Sequence, residues 1–272
     1  MEFSKGRVVF FSIQVCLACS ILVAVAAVQL KDRQVANAAL DRQKKVLVVA
    51  GLLGEDGRAV GGEEGAAPLN ADGIRALFAE RIVPQVIDLA SGEEASGVDA
   101  ATFDQQRAAK DPAQSRETTG DRANRAQVRR VPNQALVYQV RGEGDTMSSL
   151  ILPIEGKGLW STLYGFLAVS TTDHNTIQGI TFYQHGETPG LGGEVDNPSW
   201  KALWRGRKIA DESGAVQIQV IKGIAGRANA APYEVDGLSG ATITSNGVTS
   251  LLHFWLADEQ GFAQYLSRLR RG

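Results

Sequence analysis

The chain has 272 residues, a formal net charge of −2, and 44% hydrophobic against 21% charged residues. That is enough chain for one large domain or two small ones beside a membrane segment, with the composition of a folded globular protein. The near-neutral balance, without a dense Lys/Arg stripe outside the helix ends, gives no support to nucleic-acid binding.

Between Arg7 and Lys31 lie 23 residues, Val8 to Leu30, without a charge. One helix of that length crosses a bilayer. A cleaved signal peptide is the competing reading, with Ala36-Asn37-Ala38 as its cleavage site. Its apolar region should run only about 7–15 residues, so a retained anchor is favoured. Lys5 and Arg7 precede the span, whereas Lys31, Arg33, Arg42, Lys44 and Lys45 follow it. Taken at face value, that count keeps the C-terminal side in the cytoplasm, but the rule weakens when a large domain follows.

Both cysteines, Cys16 and Cys19, lie inside the span. The remainder of the chain therefore has no disulfide, thiolate metal site or iron–sulfur cluster of its own. His174, His185 and His253 stand in no ligand spacing. No metal site is expected, and any redox chemistry must be carried by an organic cofactor.

A helical pattern continues off the anchor from Val35 to Leu53, ending at Gly51 or Gly54. Glu55 to Ala67 is rich in glycine and acidic residues and reads as a solvated loop. Ile74 to Ile82 predicts a short helix closed by Pro84, and Gln85 to Leu89 a strand. Ser91 to Arg130 is polar and mixed in charge, which suits solvent-facing helices and loops. After Pro132 the pattern changes to strands at Ala135–Val140, Ser149–Ile154, Tyr164–Ser170 and Ile177–His185, rich in β-branched and aromatic residues. Val216 to Ile221 alternates as a half-buried strand does. With helices at 247–257 and 262–270, the fold class is α+β, built on a twisted, mostly antiparallel sheet with flanking helices.

Two glycine-rich stretches stand out, Gly156 to Gly165 and His185 to Glu194. Neither matches a phosphate-binding or dinucleotide fingerprint, and each alone reads as a structural turn. A third stretch is more informative: Asp236-Gly237-Leu238-Ser239-Gly240-Ala241-Thr242-Ile243-Thr244-Ser245. Behind it Val248, Leu251, Leu252, Trp255 and Leu256 recur with the spacing of one buried helical face. Ser245 or Asn246 is the predicted N-cap. Thr242 and Thr244 then sit where unpaired N–H groups and a helix dipole attract a phosphate.

Asp-x-x-Ser-Gly-Ala-Thr resembles the acceptor motif on which flavin transferases esterify a threonine with the phosphate of FMN. The resemblance makes Thr242 the attachment point and Thr244 the bystander. The three stretches, in order on a membrane-anchored chain, resemble the NqrC family, the covalent-FMN subunit of the sodium-translocating NADH:quinone reductase, over essentially the whole length. Val137-Tyr138, Phe182-Tyr183 and Phe254-Trp255-Leu256 fit the same pattern. The RnfG component of the Rnf complex shares the Glu-Thr-Pro-Gly-Leu-Gly loop and the flavin motif but looks less similar around Gly156–Trp160. A stand-alone flavinylated reductase domain is a further alternative.

What the family resemblance implies is a covalent FMN relaying electrons within a respiratory complex of the bacterial inner membrane. The other subunits are then the partners, with the flavin transferase during maturation, and the flavin domain is periplasmic. Residues 1–7 become a cytoplasmic N-terminus, 8–30 the transmembrane helix, 31–130 a membrane-proximal mixed region and 131–272 the FMN-binding domain. Ser239, Gly240, Ala241, Ile243 and Thr244 would shape the phosphate pocket. Glu187 and Thr188 would meet the isoalloxazine edge, in the loop that also holds Gly190. Leu191 and Trp160 would pack its faces, and Lys222 would offset phosphate or reduced-flavin charge. No catalytic triad or metal is implied on this chain.

Overall fold

The computed structural model describes residues 4–63, 65–142, 144 and 146–271. The first three residues of the expected N-terminal segment and Glu143, Asp145 and Gly272 of the expected flavin domain lie outside the described residues. The chain divides into two compact units, Met1–Arg42 and Gln43–Gly272. The boundary placed at 130/131 by sequence falls inside the second.

The apolar run and the helical pattern behind it form one continuous helix, α1 (Lys5–Val49). In the first unit every side chain from Val8 to Leu30 is exposed. The helix is long and apolar enough to cross a membrane, as a single-pass anchor must be. Its end is a Schellman motif at Gly51, one of the two glycines the sequence offered. Gly51 adopts φ +72°, its N–H donates to Val48 O, and the Leu52 N–H donates to Leu47 O.

The second unit begins with Val46, Leu47 and Val49 buried on the last turns of α1. Helix α2 (Ala71–Arg81) starts earlier than Ile74 because Asn70 caps it, accepting from the Gly73 N–H at 2.8 Å. Its first turn is polar and left no mark in the apolar pattern. Pro84 does not close this helix. It lies in strand β1 (Ile82–Asp88), opposite Tyr138, on the sheet edge where a missing N–H is tolerated.

Five antiparallel strands form the sheet in the order β1, β4 (Gln134–Arg141), β5 (Met147–Lys157), β6 (Thr162–Ser170) and β7 (Ile177–Gln184). The polar stretch 91–130 supplies α3 (Gln105–Lys110), β2 (Ser115–Glu117) and α4 (Asp121–Ala126), and β2 pairs with β3 (Arg130–Pro132). It is not wholly solvent-facing, because Ala123, Ala126 and Val128 join the core.

Side chains alternate across the sheet as strand geometry requires. Leu150, Leu152 and Ile154 on β5 and Leu167 and Val169 on β6 enter the core beneath α6 (Thr242–Ala257). The opposite face carries an aromatic row, with Tyr138 edge-on to Phe166 and Phe166 stacked on Tyr183 at 5.0 Å. The short helix α5 (Pro198–Ala202) precedes α6, and helix α7 (Ala263–Leu269) follows where expected.

Two stretches depart from their sequence reading. Gly156 lies inside β5, not in a loop, while Gly165 falls in β6 within the expected strand Tyr164–Ser170. A Cβ on Gly156 would lie 2.5 Å from Leu251 Cβ, so the glycine admits the helix to the sheet. Val216–Ile221 contributes only β8 (Gln219–Val220), paired in parallel with β9 (Glu234–Val235). The N–H groups of Gln217 and Ile218 donate to Ile209 O, and that of Val220 to the Thr249 hydroxyl. Scattered partners replace the ladder that the alternation predicted.

Candidate functional site around the first turn of α6

Helix α6 starts at Thr242, five residues before the predicted start, with Ala241 as its N-cap and no side-chain cap bond. Ser245 and Asn246 are therefore not caps. The Ser245 hydroxyl accepts from the Leu238 N–H at 3.1 Å, pinning the preceding loop from inside the helix. Ser239, Gly240 and Ala241 had hidden the start, because small residues carry no apolar period.

An uncapped start leaves donors free. The Ala241 N–H is committed to Leu238 O and that of Ser245 to Ala241 O. Among the described residues none accepts from the N–H groups of Thr242, Ile243 or Thr244. Three unpaired donors and the positive end of a 16-residue helix thus gather at this turn, two of them on exposed residues and the third on a buried one.

The two threonines differ sharply. Thr242 is exposed, whereas Thr244 is fully buried and its hydroxyl donates to Glu187 Oε2 at 2.7 Å. Ile243 between them is 57% exposed. Gly240 adopts φ +70°, and a Cβ there would come within 2.9 Å of Leu191 Cδ2. The positive φ is what favours glycine here, since the Leu191 tip can move aside.

The three motif stretches meet at this helix end. The turn Gly158–Ser161, closed by Gly158 N–H to Ser161 O at 2.8 Å, is the tip of the β5–β6 hairpin. It abuts α6 where a Cβ on Gly247 would lie 2.3 Å from Lys157 O. Thr188-Pro189-Gly190-Leu191 is a type II turn, with Leu191 N–H bonded to Thr188 O at 3.1 Å and Gly190 at φ +75°. It leaves the Thr188 side chain exposed and lays Leu191 against Gly240. Lys222 is exposed and has no partner among the described residues. Its neighbours crowd the motif, because a Cβ on Gly237 would lie 2.3 Å from Ile221 O.

Glu187 turns inward. Its carboxylate accepts from the N–H groups of Leu159, Trp160 and Ser161 at 3.0–3.1 Å and from the Thr244 hydroxyl. Burial opposes its ionisation, but the Thr244 hydroxyl and the three N–H groups outweigh it and hold the carboxyl below its ordinary value. Protein donors thus occupy the carboxylate that was expected to meet a cofactor edge. Trp160, by contrast, is 66% exposed.

Sequence reasoning missed the pin beneath this loop. His185 Nε2 bonds Asp196 Oδ2 at 2.9 Å, while its Nδ1 lies 3.2 Å from the Glu187 backbone nitrogen, whose N–H it accepts when the ring is neutral. Asp196 raises the His185 pKa against its partial burial. His253 bonds Ile218 O at 2.9 Å and serves the packing of β8. Asp236 accepts from the Ala225 N–H through its carboxylate, which fixes the loop before the motif.

Residues 158–257 match the family model of the FMN-binding domain. The chain is 46% identical over 256 residues to the NqrC subunit of the Na(+)-translocating NADH-quinone reductase of Vibrio vulnificus, covering 94% of this chain and 92% of that one. It is 47% identical over 270 residues to the same subunit of Pseudomonas aeruginosa, covering 99% and 97%. The crystal structure of Shewanella oneidensis NqrC superimposes with TM-score 0.73 at 32% identity, covering 85% of this chain and 97% of that one. Identity at this level over nearly the whole length places the chain in the NqrC family of Na(+)-translocating NADH-quinone reductase subunits.

Proposed function

We propose that this chain is the electron-transfer subunit of a Na(+)-translocating NADH:ubiquinone reductase and carries FMN through a phosphoester on Thr242. The observation that carries the reading is the contrast on the first turn of α6. One threonine is exposed beside unpartnered N–H donors, and the other is buried with its hydroxyl committed to Glu187. A phosphoryl group on Thr242 Oγ1 sits within reach of those donors, which offset its charge. Ser239 and Gly240, both exposed, leave the approach open.

Leu191, Ile243 and Trp160 offer apolar surface at the same helix end, suited to a flat ring system. Thr188 and Lys222 remain the exposed polar groups for the ring edge and the phosphate. FMN, when bound, supplies the one- and two-electron chemistry that side chains lack. Because the site is open, a ring tethered here keeps an edge available to neighbouring subunits of the complex. No NADH or quinone site is assigned to this chain. The anchor is read as the single membrane span, and the flavin domain as periplasmic, against the local charge count.

The test is full-length protein made together with its flavin transferase. Intact mass should exceed the bare chain by one FMN less one water. A denaturing gel should show a flavin-fluorescent band that disappears in Thr242→Ala and persists in Thr244→Ala. A fluorescent Thr242→Ala band overturns the assignment.

A further inference from the structure

We propose that Glu187 is a positioning residue. Its carboxylate fastens the tip of the β5–β6 hairpin to α6, so that Leu159 and Trp160 are presented at the helix end where, on the proposed function, the flavin lies. The first ground is saturation. A carboxylate has about four acceptor positions. Here Oε1 takes the Trp160 and Ser161 N–H groups, with the Ser161 hydroxyl at 3.4 Å, and Oε2 takes the Leu159 N–H and the Thr244 hydroxyl. Nothing is left over for a ligand.

The second ground is the space kept for it. A Cβ on Gly158 would lie 2.6 Å from Glu187 Oε1, and one on Gly192 2.8 Å from Oε2 and 2.6 Å from Thr244 Oγ1. Two motif glycines therefore exist to admit this carboxylate and its hydroxyl partner. Their shared reason is not visible from either stretch alone.

The third ground is what hangs on the clamp. The hairpin tip carries two apolar side chains outside the core, Leu159 at 42% and Trp160 at 66% exposure. Their own packing does not hold them there. The tip is held by its backbone, through three N–H groups on one anion and through Lys157 Nζ to Trp160 O at 3.1 Å. A charged acceptor makes such bonds stronger than neutral ones. Glu187→Gln removes the charge and, in either amide orientation, points an N–H₂ group at donors.

The experiment has two arms on the full-length chain in detergent. The first uses flavin-free protein and reads amide exchange in peptides covering Leu159–Ser161. Glu187→Gln should speed exchange there about tenfold or more, and Thr244→Val, which keeps the charge, about two- to fivefold. The second uses flavin-loaded protein and reads flavin fluorescence in a double-mutant cycle with Trp160→Ala. Glu187→Gln and Trp160→Ala should each relieve quenching, and the double variant should do no more than Trp160→Ala alone.

Additive effects would assign Glu187 a direct action on the flavin and overturn the proposal, as would unchanged exchange at 159–161. If Glu187→Gln does not fold, Thr244→Val carries both arms. Wild-type protein that takes up no flavin refutes the proposed function but leaves the exchange arm standing, so the two failures are distinct.

Discussion

Glu155 offers a test of the fold that is independent of any cofactor. It pairs with Tyr164 across β5 and β6, and because Gly156 faces Leu251 of α6, the Glu155 side chain lies on the opposite face. Burial there raises its carboxyl from 4.5 to about 7, with Lys110 pulling weakly the other way. The folded chain thus holds this proton more tightly than the unfolded chain does. The stability it contributes is complete below 4.5 and is lost as pH rises through about 7.

The gap between those values corresponds to about 3 kcal/mol once the carboxyl is ionised in both states. Glu155→Gln replaces the protonated form with a neutral side chain of the same length. The variant should match the wild type near pH 4 and exceed it by about 3 kcal/mol near pH 8, with the difference growing between. Urea unfolding of the full chain in detergent, followed by tryptophan fluorescence across that range, reads it. A difference independent of pH, or a wild type that gains on the variant as pH rises, would refute the reasoning.

Other substitutions probe the site's supports. Gly247→Ala places a methyl 2.3 Å from Lys157 O, a backbone atom that cannot step aside, and should cost about 2–3 kcal/mol in the same unfolding assay. Trp255→Phe removes the 2.7 Å bond from Nε1 to Glu155 O, and leaving that carbonyl short of a donor should cost about 1–3 kcal/mol. The His185–Asp196 bond contributes stability present below pH 6.5 and lost as pH rises through the raised histidine value. Asp196→Asn should flatten that step, as histidine NMR titration alongside pH-dependent melting would show.

Much of the architecture was legible because it rests on apolar pattern. The α6 face from Val248 to Leu256 and the strands after Pro132 announce themselves by what they bury. The failures share a cause. Gly156 looked like part of a loop because a strand glycine and a turn glycine are the same letter, and only the packed helix tells them apart. The start of α6 was placed late because Ser239 to Thr242 has no period to read. Pro84 looked like a helix stop because sequence does not reveal which strand is the edge.

In the site, the motif marked the helix end where the three stretches meet, and the difference in burial between Thr242 and Thr244 came into view only with the structure. Glu187 was singled out for its place in a loop. Its inward orientation depends on N–H groups 26 to 28 residues away that no local pattern encodes.

The sheet margins carry one more consequence. On the outer side of β1, the Asp88 N–H donates to Glu93 O and the Ala95 N–H to Val86 O, and Pro84 offers no N–H beyond them. At the far margin, Ile177 of β7 donates to Arg207 O and accepts from the Gly206 N–H. Part of each rim is thus closed to an incoming strand. Along these stretches an incoming polypeptide meets side chains and loops, and unfolded chains passing by find little backbone to copy.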